Sequence, residues 1–241
     1  MEKSWISEIN EQELIGLIGP NGAGKTTLFN LLTGVYEPSE GKIELNVDGA
    51  IKEIGGMKPY AVTRMGLART FQNIRLFKNL TALDNVKIAM HKNIKYGTLQ
   101  AILRTPNYYR EEERVEQQAE ELLKVVHPYD KRNELASNLP YGEQRRLEIA
   151  RALATKPKVL FLDEPAAGMN PQETADLTRL IHQIKDDFHL TVILIEHDMS
   201  LVMTICERIY VLDYGKCIAN GVPEVIKNDK RVIKAYLGED I

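Results

Sequence analysis

Apolar positions along the 241-residue chain fall into two kinds of run. Three are short and unbroken: ELIGLIG (Glu13–Gly19), KVLFLD ending at Asp163, and TVILIE beginning at Thr191. Each is strand-sized and apolar on both faces, the pattern of a parallel strand buried from above and below. The others are periodic. KTTLFNLLTGVY places Leu28, Leu31 and Leu32 at helical spacing and offers Gly34 as a stop. In REEERVEQQAEELLKVV, residues Val115, Ala119, Leu122, Leu123 and Val126 form one stripe, which predicts a helix packed on a core; the repeat is too short for a coiled coil. GKIELNVDG alternates Ile43, Leu45 and Val47 ahead of Asp48-Gly49, a hairpin signal. Helices are predicted over PQETADLTRLIHQIKDDF and MSLVMTICER, a second hairpin around Gly215, and a closing helix. Strands alternating with helices give an α/β class: a mostly parallel sheet covered on both sides, with a small antiparallel part. From about residue 79 to 140 the pattern is mainly helical. The chain therefore divides into a first part of the core (1–78), an inserted helical subdomain (79–140) and the rest of the core (141–241).

Composition narrows the classes. With 44% hydrophobic and 27% charged residues the chain is an ordinary globular protein. A net charge of −3 argues against a nucleic-acid partner, whose domain is usually basic. No run approaches 18 apolar residues, and MEKSWISEIN has no signal-peptide core. Cys206 and Cys217 lack metal-ligand spacing and read as buried free thiols of a reducing cytosol. The expectation is a cytoplasmic chain that does not itself cross a membrane.

The chemistry sits at strand ends. GPNGAGKTT comprises Gly19, Pro20, Asn21, Gly22, Ala23, Gly24, Lys25, Thr26 and Thr27. It fits the phosphate-binding loop G-x-x-x-x-G-K-[ST], with a strand before it and a helix after. Glycines let backbone N–H groups turn toward phosphates, and the helix adds its positive end. Lys25 would neutralise the phosphates and Thr26 would ligate Mg²⁺. KVLFLDEP delivers Asp163 and Glu164 to the carboxyl edge of the sheet, Asp163 for the metal and Glu164 as general base toward an attacking water. His197, just past the next strand, is placed to stabilise charge on the terminal phosphate, although a lone histidine is more often a hydrogen-bonded bystander. Gln72 has an amide that can meet both metal and water, a weak signal by itself.

Taken in order, the phosphate loop, Gln72, LPYGEQ, VLFLDEP and IEHD, with a helical insert between the second and third, resemble the nucleotide-binding subunit of an ABC transporter. The likeness runs from Ile9 onward. GVYEPSEGKI, ARTFQNIRLF and YGEQRRLEIARAL are similar to an ATPase subunit of branched-chain amino acid importers. The resemblance implies a P-loop NTPase (RecA-like) fold, hydrolysis of ATP with Mg²⁺, and subunits that pair head to tail. In such a pair, Leu139, Pro140, Tyr141, Gly142 and Glu143 form the signature segment, whose helix start faces the nucleotide of the opposite subunit. Three departures stand out. Pro140 occupies the usual signature serine. Asn170 replaces the aspartate many relatives carry in the loop after Glu164. The first strand and the adenine-stacking aromatic of relatives are missing: Trp5 is in the wrong register, so weaker or less base-selective nucleotide binding is expected.

The same resemblance implies a second ATPase subunit (the same chain or a related one), a membrane permease, and indirectly an extracytoplasmic solute-binding protein. It places the chain peripherally on the cytoplasmic face of the membrane. Phe71, Ile74, Leu76 and Phe77 would line the permease groove, with Arg69, Arg75 and Lys78 setting orientation. Two rivals are weighed: a soluble ATPase of the same family acting on nucleic acid or ribosomes, and a nucleotide-binding module that does not turn over.

Overall fold

Side chains alternate across a strand, so an unbroken apolar run must bury two faces at once. The computed structural model, which describes residues 8–47, 49–126 and 129–237, meets that demand with a layered α/β arrangement. In chain order the elements begin β1 (Leu14–Ile18), α1 (Lys25–Leu32), β2 (Glu44–Val47), β3 (Ala50–Glu53), α2 (Pro59–Arg64) and β4 (Leu67–Arg69). Next come α3 (Ala82–Ala89), α4 (Thr98–Ile102), α5 (Pro106–Val126) and α6 (Tyr141–Ala154). The last part holds β5 (Val159–Asp163), α7 (Pro171–Asp187), β6 (Thr191–Ile195), α8 (Met199–Ile205), β7 (Arg208–Asp213), β8 (Lys216–Gly221), α9 (Pro223–Lys227) and α10 (Lys230–Leu237). Trp5 and Asp48 lie outside the described residues.

The main sheet has the order β4-β5-β6-β1-β7-β8. All pairs are parallel except β7–β8, which closes one edge as an antiparallel hairpin. The predicted hairpin at GKIELNVDG forms separately as β2 against β3. Every residue of β1 and β6 is buried. Leu14 and Ile18 of β1 join one core layer, whereas Ile15 and Leu17 join the other, where Phe29 meets Phe161 edge-on at 5.1 Å. Because the central strands are parallel, their carboxyl ends open on one edge, where open α/β sheets bind ligands.

The helical insertion is less uniform than its periodicity suggests. Between α3 and α5 helical order is broken: a 3₁₀ turn at Met90–Asn93 and an extended stretch through Gly97 precede the short α4, and a second break precedes Pro106, where α5 begins. The predicted stripe on α5 is buried at Val115, Ala119, Leu122, Leu123 and Val126. It packs with α3 onto α6, and the same core cluster continues through Leu147 and Leu160 into the sheet. The expected closing helix is two helices, α9 and α10.

Candidate functional site

The phosphate loop follows β1 directly. A side chain at Gly19 would lie 2.1 Å from the carbonyl oxygen of Leu212, so only glycine lets the loop pass this close to β7. At the other end Gly24 takes φ 100° and serves as N-cap of α1 without any side-chain cap. The first backbone N–H groups of α1 are thereby left for an anion. Lys25 is buried, and its ammonium donates to the carbonyl oxygens of Gly19 (2.7 Å) and Pro20 (3.0 Å). Desolvation pulls its pKa below the usual lysine value, against the opposing pull of the Glu164 charge. Thr26 and Thr27 are exposed in the first turn. Pro20, Asn21, Gly22 and Ala23 line a cleft of about 440 Å³ together with Tyr214 and Arg231.

At the carboxyl edge, Asp163 ends β5 beside Ile195 of β6 and is buried. One oxygen of its carboxylate, Oδ2, accepts from Arg69 at 2.7 Å. Arg69 also donates to Asn30 Oδ1 (2.6 Å) and Thr33 Oγ1 (3.3 Å), and its guanidinium lies over Phe29 and Phe71. This corrects the expectation that Arg69 faces a permease: its side chain is only 8% exposed and turned inward, because a buried carboxylate and the end of α1 offer it partners that solvent does not.

Glu164 adopts φ 46°, a left-handed conformation rare outside glycine, with its N–H held by the Ile195 carbonyl at 2.9 Å. Such strain persists where the surroundings over-determine it, typically at functional sites. Both carboxylate oxygens are engaged. Oε2 accepts from Gln72 Nε2 at 2.8 Å, and Oε1 lies 2.9 Å from His197 Nε2. The structure thus brings together Glu164 and His197, read from two separate strand ends, and Gln72, read from a loop. Glu196, which the sequence reading passed over, is buried behind them. Its carboxylate accepts from the N–H groups of Ala166 (2.8 Å) and His197 (3.2 Å), and burial pushes its pKa up. Thr26, Asp163 and the amide oxygen of Gln72 are the hard oxygen donors that Mg²⁺ takes beside substrate phosphates, so the donor set fits that ion. Among the described residues no group of three His, Cys, Asp or Glu could hold a metal without such help.

The signature segment opens α6, and its Tyr141 lines a pocket with Gln72, Asn73, Ala167 and Gly168. Leu139 is buried, Pro140 is the N-cap of α6 with no side-chain cap, and Tyr141 is 45% exposed. Gly142 packs close to the Glu173 carboxylate, and Glu143 pairs with Lys131 at 2.7 Å. Asn170 is accounted for locally. It caps α7, its side chain accepting from the Glu173 N–H and its own N–H donating to the Glu173 carboxylate, each at 2.9 Å. Among the described residues no hydrogen bond or ion pair joins Leu139–Glu143 to Gly19–Thr27.

A further set was not foreseen. Arg145 is fully buried in α6 and donates to the backbone carbonyls of Phe71 (2.5 Å) and Gln72 (2.7 Å). Glu148 pairs with it at 3.0 Å and accepts from the N–H groups of Phe71 (3.4 Å) and Arg75 (3.3 Å). Arg151 donates to the Arg75 carbonyl. The signal was available: three charged residues at i, i+3 and i+6 along a helix face otherwise apolar. Of the groove residues, Phe77 is 47% exposed and Arg75 and Lys78 are exposed, whereas Leu76 packs on the core and the Phe71 ring lies between Arg69 and Arg75. Cys206 is buried and its thiol is pushed up to about 12; Cys217 is only half-buried.

With this geometry in view, known proteins can be compared. A family profile described as ABC transporter matches residues 5–167, and one described as branched-chain amino acid ATP-binding cassette transporter matches residues 216–241. The high-affinity branched-chain amino acid transport ATP-binding protein LivG of Salmonella typhimurium is 47% identical over 96% of this chain and 89% of its own length. The corresponding protein BraF of Pseudomonas aeruginosa gives the same values. Among solved structures, the ADP conformation of MJ1267, an ATP-binding cassette of an ABC transporter, superposes with a TM-score of 0.79 at 29% identity, covering 96% of this chain and 90% of that one.

Proposed function

From a chain that belongs to the ABC transporter family as one of its nucleotide-binding ATPases, we propose the energy-supplying subunit of an importer that carries branched-chain amino acids through a membrane permease. The observation that carries the catalytic part is the convergence of Gln72, Glu164 and His197 at the carboxyl edge next to the phosphate loop. LivG and BraF, named for branched-chain amino acid transport and aligned nearly end to end, support the solute class.

Hydrolysis needs rearrangement, and the hydrogen bonds say where. Lys25 must leave the Gly19 and Pro20 carbonyls to reach the β- and γ-phosphates. Glu164 must free one oxygen to take the proton from the attacking water, so Gln72 or His197 has to turn away first. His197, half-exposed, is the group free to swing toward the γ-phosphate and stabilise its growing charge. Magnesium, when bound, would supply charge neutralisation at the phosphates and would be held by Thr26, Asp163 and Gln72. The signature segment, which among the described residues makes no hydrogen bond or ion pair with the phosphate loop of its own subunit, would be completed by the nucleotide of a second ATPase subunit. Its uncapped helix start offers N–H groups and a positive dipole end to that γ-phosphate. Among the described residues no helix is long and apolar enough to cross a membrane. The relatives' role in transport supports contact through a permease, which would dock near the exposed Phe77, Arg75 and Lys78.

The test is co-expression with the cognate permease and any sister ATPase, followed by co-purification from membranes and assay of phosphate release. ATP-driven pairing and hydrolysis stimulated by a branched-chain amino acid bound to its solute-binding protein are expected. A chain that binds ATP yet neither pairs nor releases phosphate under any of these conditions would sink the reading.

A further inference from the structure

Charged groups buried in a core cost free energy unless they are paired and satisfied, so a fully buried arginine needs an explanation. Arg145 is the largest wholly enclosed side chain among the described residues. Among the described residues it makes no hydrogen bond or ion pair with the phosphate loop or Asp163. Its guanidinium instead reads the backbone of the loop that carries Gln72, through the carbonyls of residues 71 and 72, while its partner Glu148 reads the N–H groups of residues 71 and 75. Arg151 takes the carbonyl of residue 75. Donors and acceptors of one helix face thus satisfy both edges of one short loop. Burial raises the Glu148 pKa and the neighbouring Arg145 charge opposes that rise, so the ionised form depends on the pair staying closed. The same helix begins at Tyr141, within the signature segment. The loop carries, at Gln72, the amide that touches Glu164.

We propose that Arg145 and Glu148 are positioning residues that make the signature helix and the Gln72 loop one rigid body. Where the signature segment settles on the partner's nucleotide then sets where the Gln72 amide lies in this subunit's own site. In the isolated subunit that amide occupies Glu164 Oε2 while His197 faces Oε1, so neither oxygen is open to a water. Movement of α6 toward a second subunit carries Gln72 with it and releases the base. Each site would then hydrolyse only after the opposite one has been clasped. This rests on the reading of Leu139–Glu143 as a segment acting in trans.

The experiment replaces the pair by apolar groups of similar length, R145M with E148M, which keeps the core filled without leaving a lone charge. Three quantities are read: nucleotide affinity of the subunit, ATP-driven pairing in an E164Q background, and steady-state hydrolysis as a function of ATP. Amide hydrogen exchange of the peptide containing residues 71–75 reports the loop itself. Affinity and pairing should stay within about twofold, whereas kcat falls about 10- to 100-fold, the usual result of misplacing a catalytic group by an ångström. Cooperativity toward ATP should disappear and exchange of residues 71–75 should rise. R145K, which retains a single donor group, should recover part of the kcat loss. If the loop exchanges faster while kcat and cooperativity hold, the clamp is structural only and the proposal fails. If the double variant does not fold, R145K decides alone: unchanged kcat and cooperativity overturn the proposal. Absence of pairing in E164Q alone would instead remove the functional reading on which it stands.

Discussion

Two helix starts in this molecule carry the motifs read as phosphate-binding, and they are built by opposite means. The start of α1 is finished within the subunit. Gly19 slides under the Leu212 carbonyl, Gly24 turns left-handed, and Lys25 already spans the loop, resting on two carbonyls until a ligand arrives. The start of α6 is unfinished. Pro140 supplies no side-chain cap, Tyr141 is exposed, and the one acid of the first turn, Glu143, is drawn aside by Lys131. Elsewhere α3, α7 and α8 are capped by Thr81, Asn170 and Asp198, and α2 and α9, also without a side-chain cap, each begin with a proline that has no N–H to satisfy. The helices that would meet nucleotide are left uncapped, one facing its own subunit's cleft and the other facing outward. A fold can therefore encode half a site as firmly as a whole one, by tying the body of a helix into the core and leaving its first turn open.

The largest separation between chemistry and assembly is expected from E164Q. Loss of the general base should lower hydrolysis at least about 10³-fold, within the range such groups contribute. Pairing should persist and become easier to observe, because paired subunits no longer turn over; size-exclusion chromatography with ATP and Mg²⁺ checks this. Next come two changes that should part the two helix starts. K25A removes a charge-assisted contact worth about 2 kcal/mol, so the isolated subunit should bind ATP about 30-fold more weakly. G142D puts a carboxylate at the open start of α6, beside Glu173 and toward the partner's phosphates. Its ATP affinity as a single subunit should match wild type, while the paired state weakens about 100-fold through like-charge juxtaposition. Calorimetry on the subunit and sedimentation of the pair separate these outcomes. Equal loss of subunit affinity in both variants would mean that the two starts serve one site in one chain.

The elements readable from sequence were those in which a single residue type has a single physical reason. Unbroken apolar runs became the inner strands, because a sheet covered on both sides leaves no polar face. The phosphate loop and the carboxylates after VLFL were legible because a motif and its strand-loop-helix setting coincide. Arg69 was misplaced because an arginine beside aromatic residues looks the same on a docking surface as it does over Phe29 and Phe71. Which it is depends on Asp163, 94 positions away, and on Asn30 and Thr33. The Arg145–Glu148 clamp stayed hidden for a related reason. Its spacing marks one helix face, but its partners are backbone groups of a loop more than 70 residues earlier, and backbone atoms leave no signature in composition. Asn170 was read by what it lacks as a communicator between subunits, when its local task is the N-cap of α7.

The smallest expected effect bears most directly on the comparison. Pro140 has φ −55° and ψ 154°, extended values that serine adopts freely, so P140S should leave the backbone in place. Serine is among the best N-cap residues, worth about 1 kcal/mol over an uncapped start, but removing a proline returns about 0.4–1 kcal/mol of unfolded-state entropy. The two nearly cancel, and the melting temperature of the single subunit should hardly move. The hydroxyl and the restored N–H are then new donors at a turn that faces a phosphate only when a second subunit is present. Pairing with ATP should tighten about two- to fivefold, consistent with one modest hydrogen bond of about 0.5–1 kcal/mol. If the subunit is instead stabilised and pairing weakens, the serine has turned inward to cap its own helix. The open start of α6 would then owe its receptivity to having no cap at all, which makes proline an asset at this position.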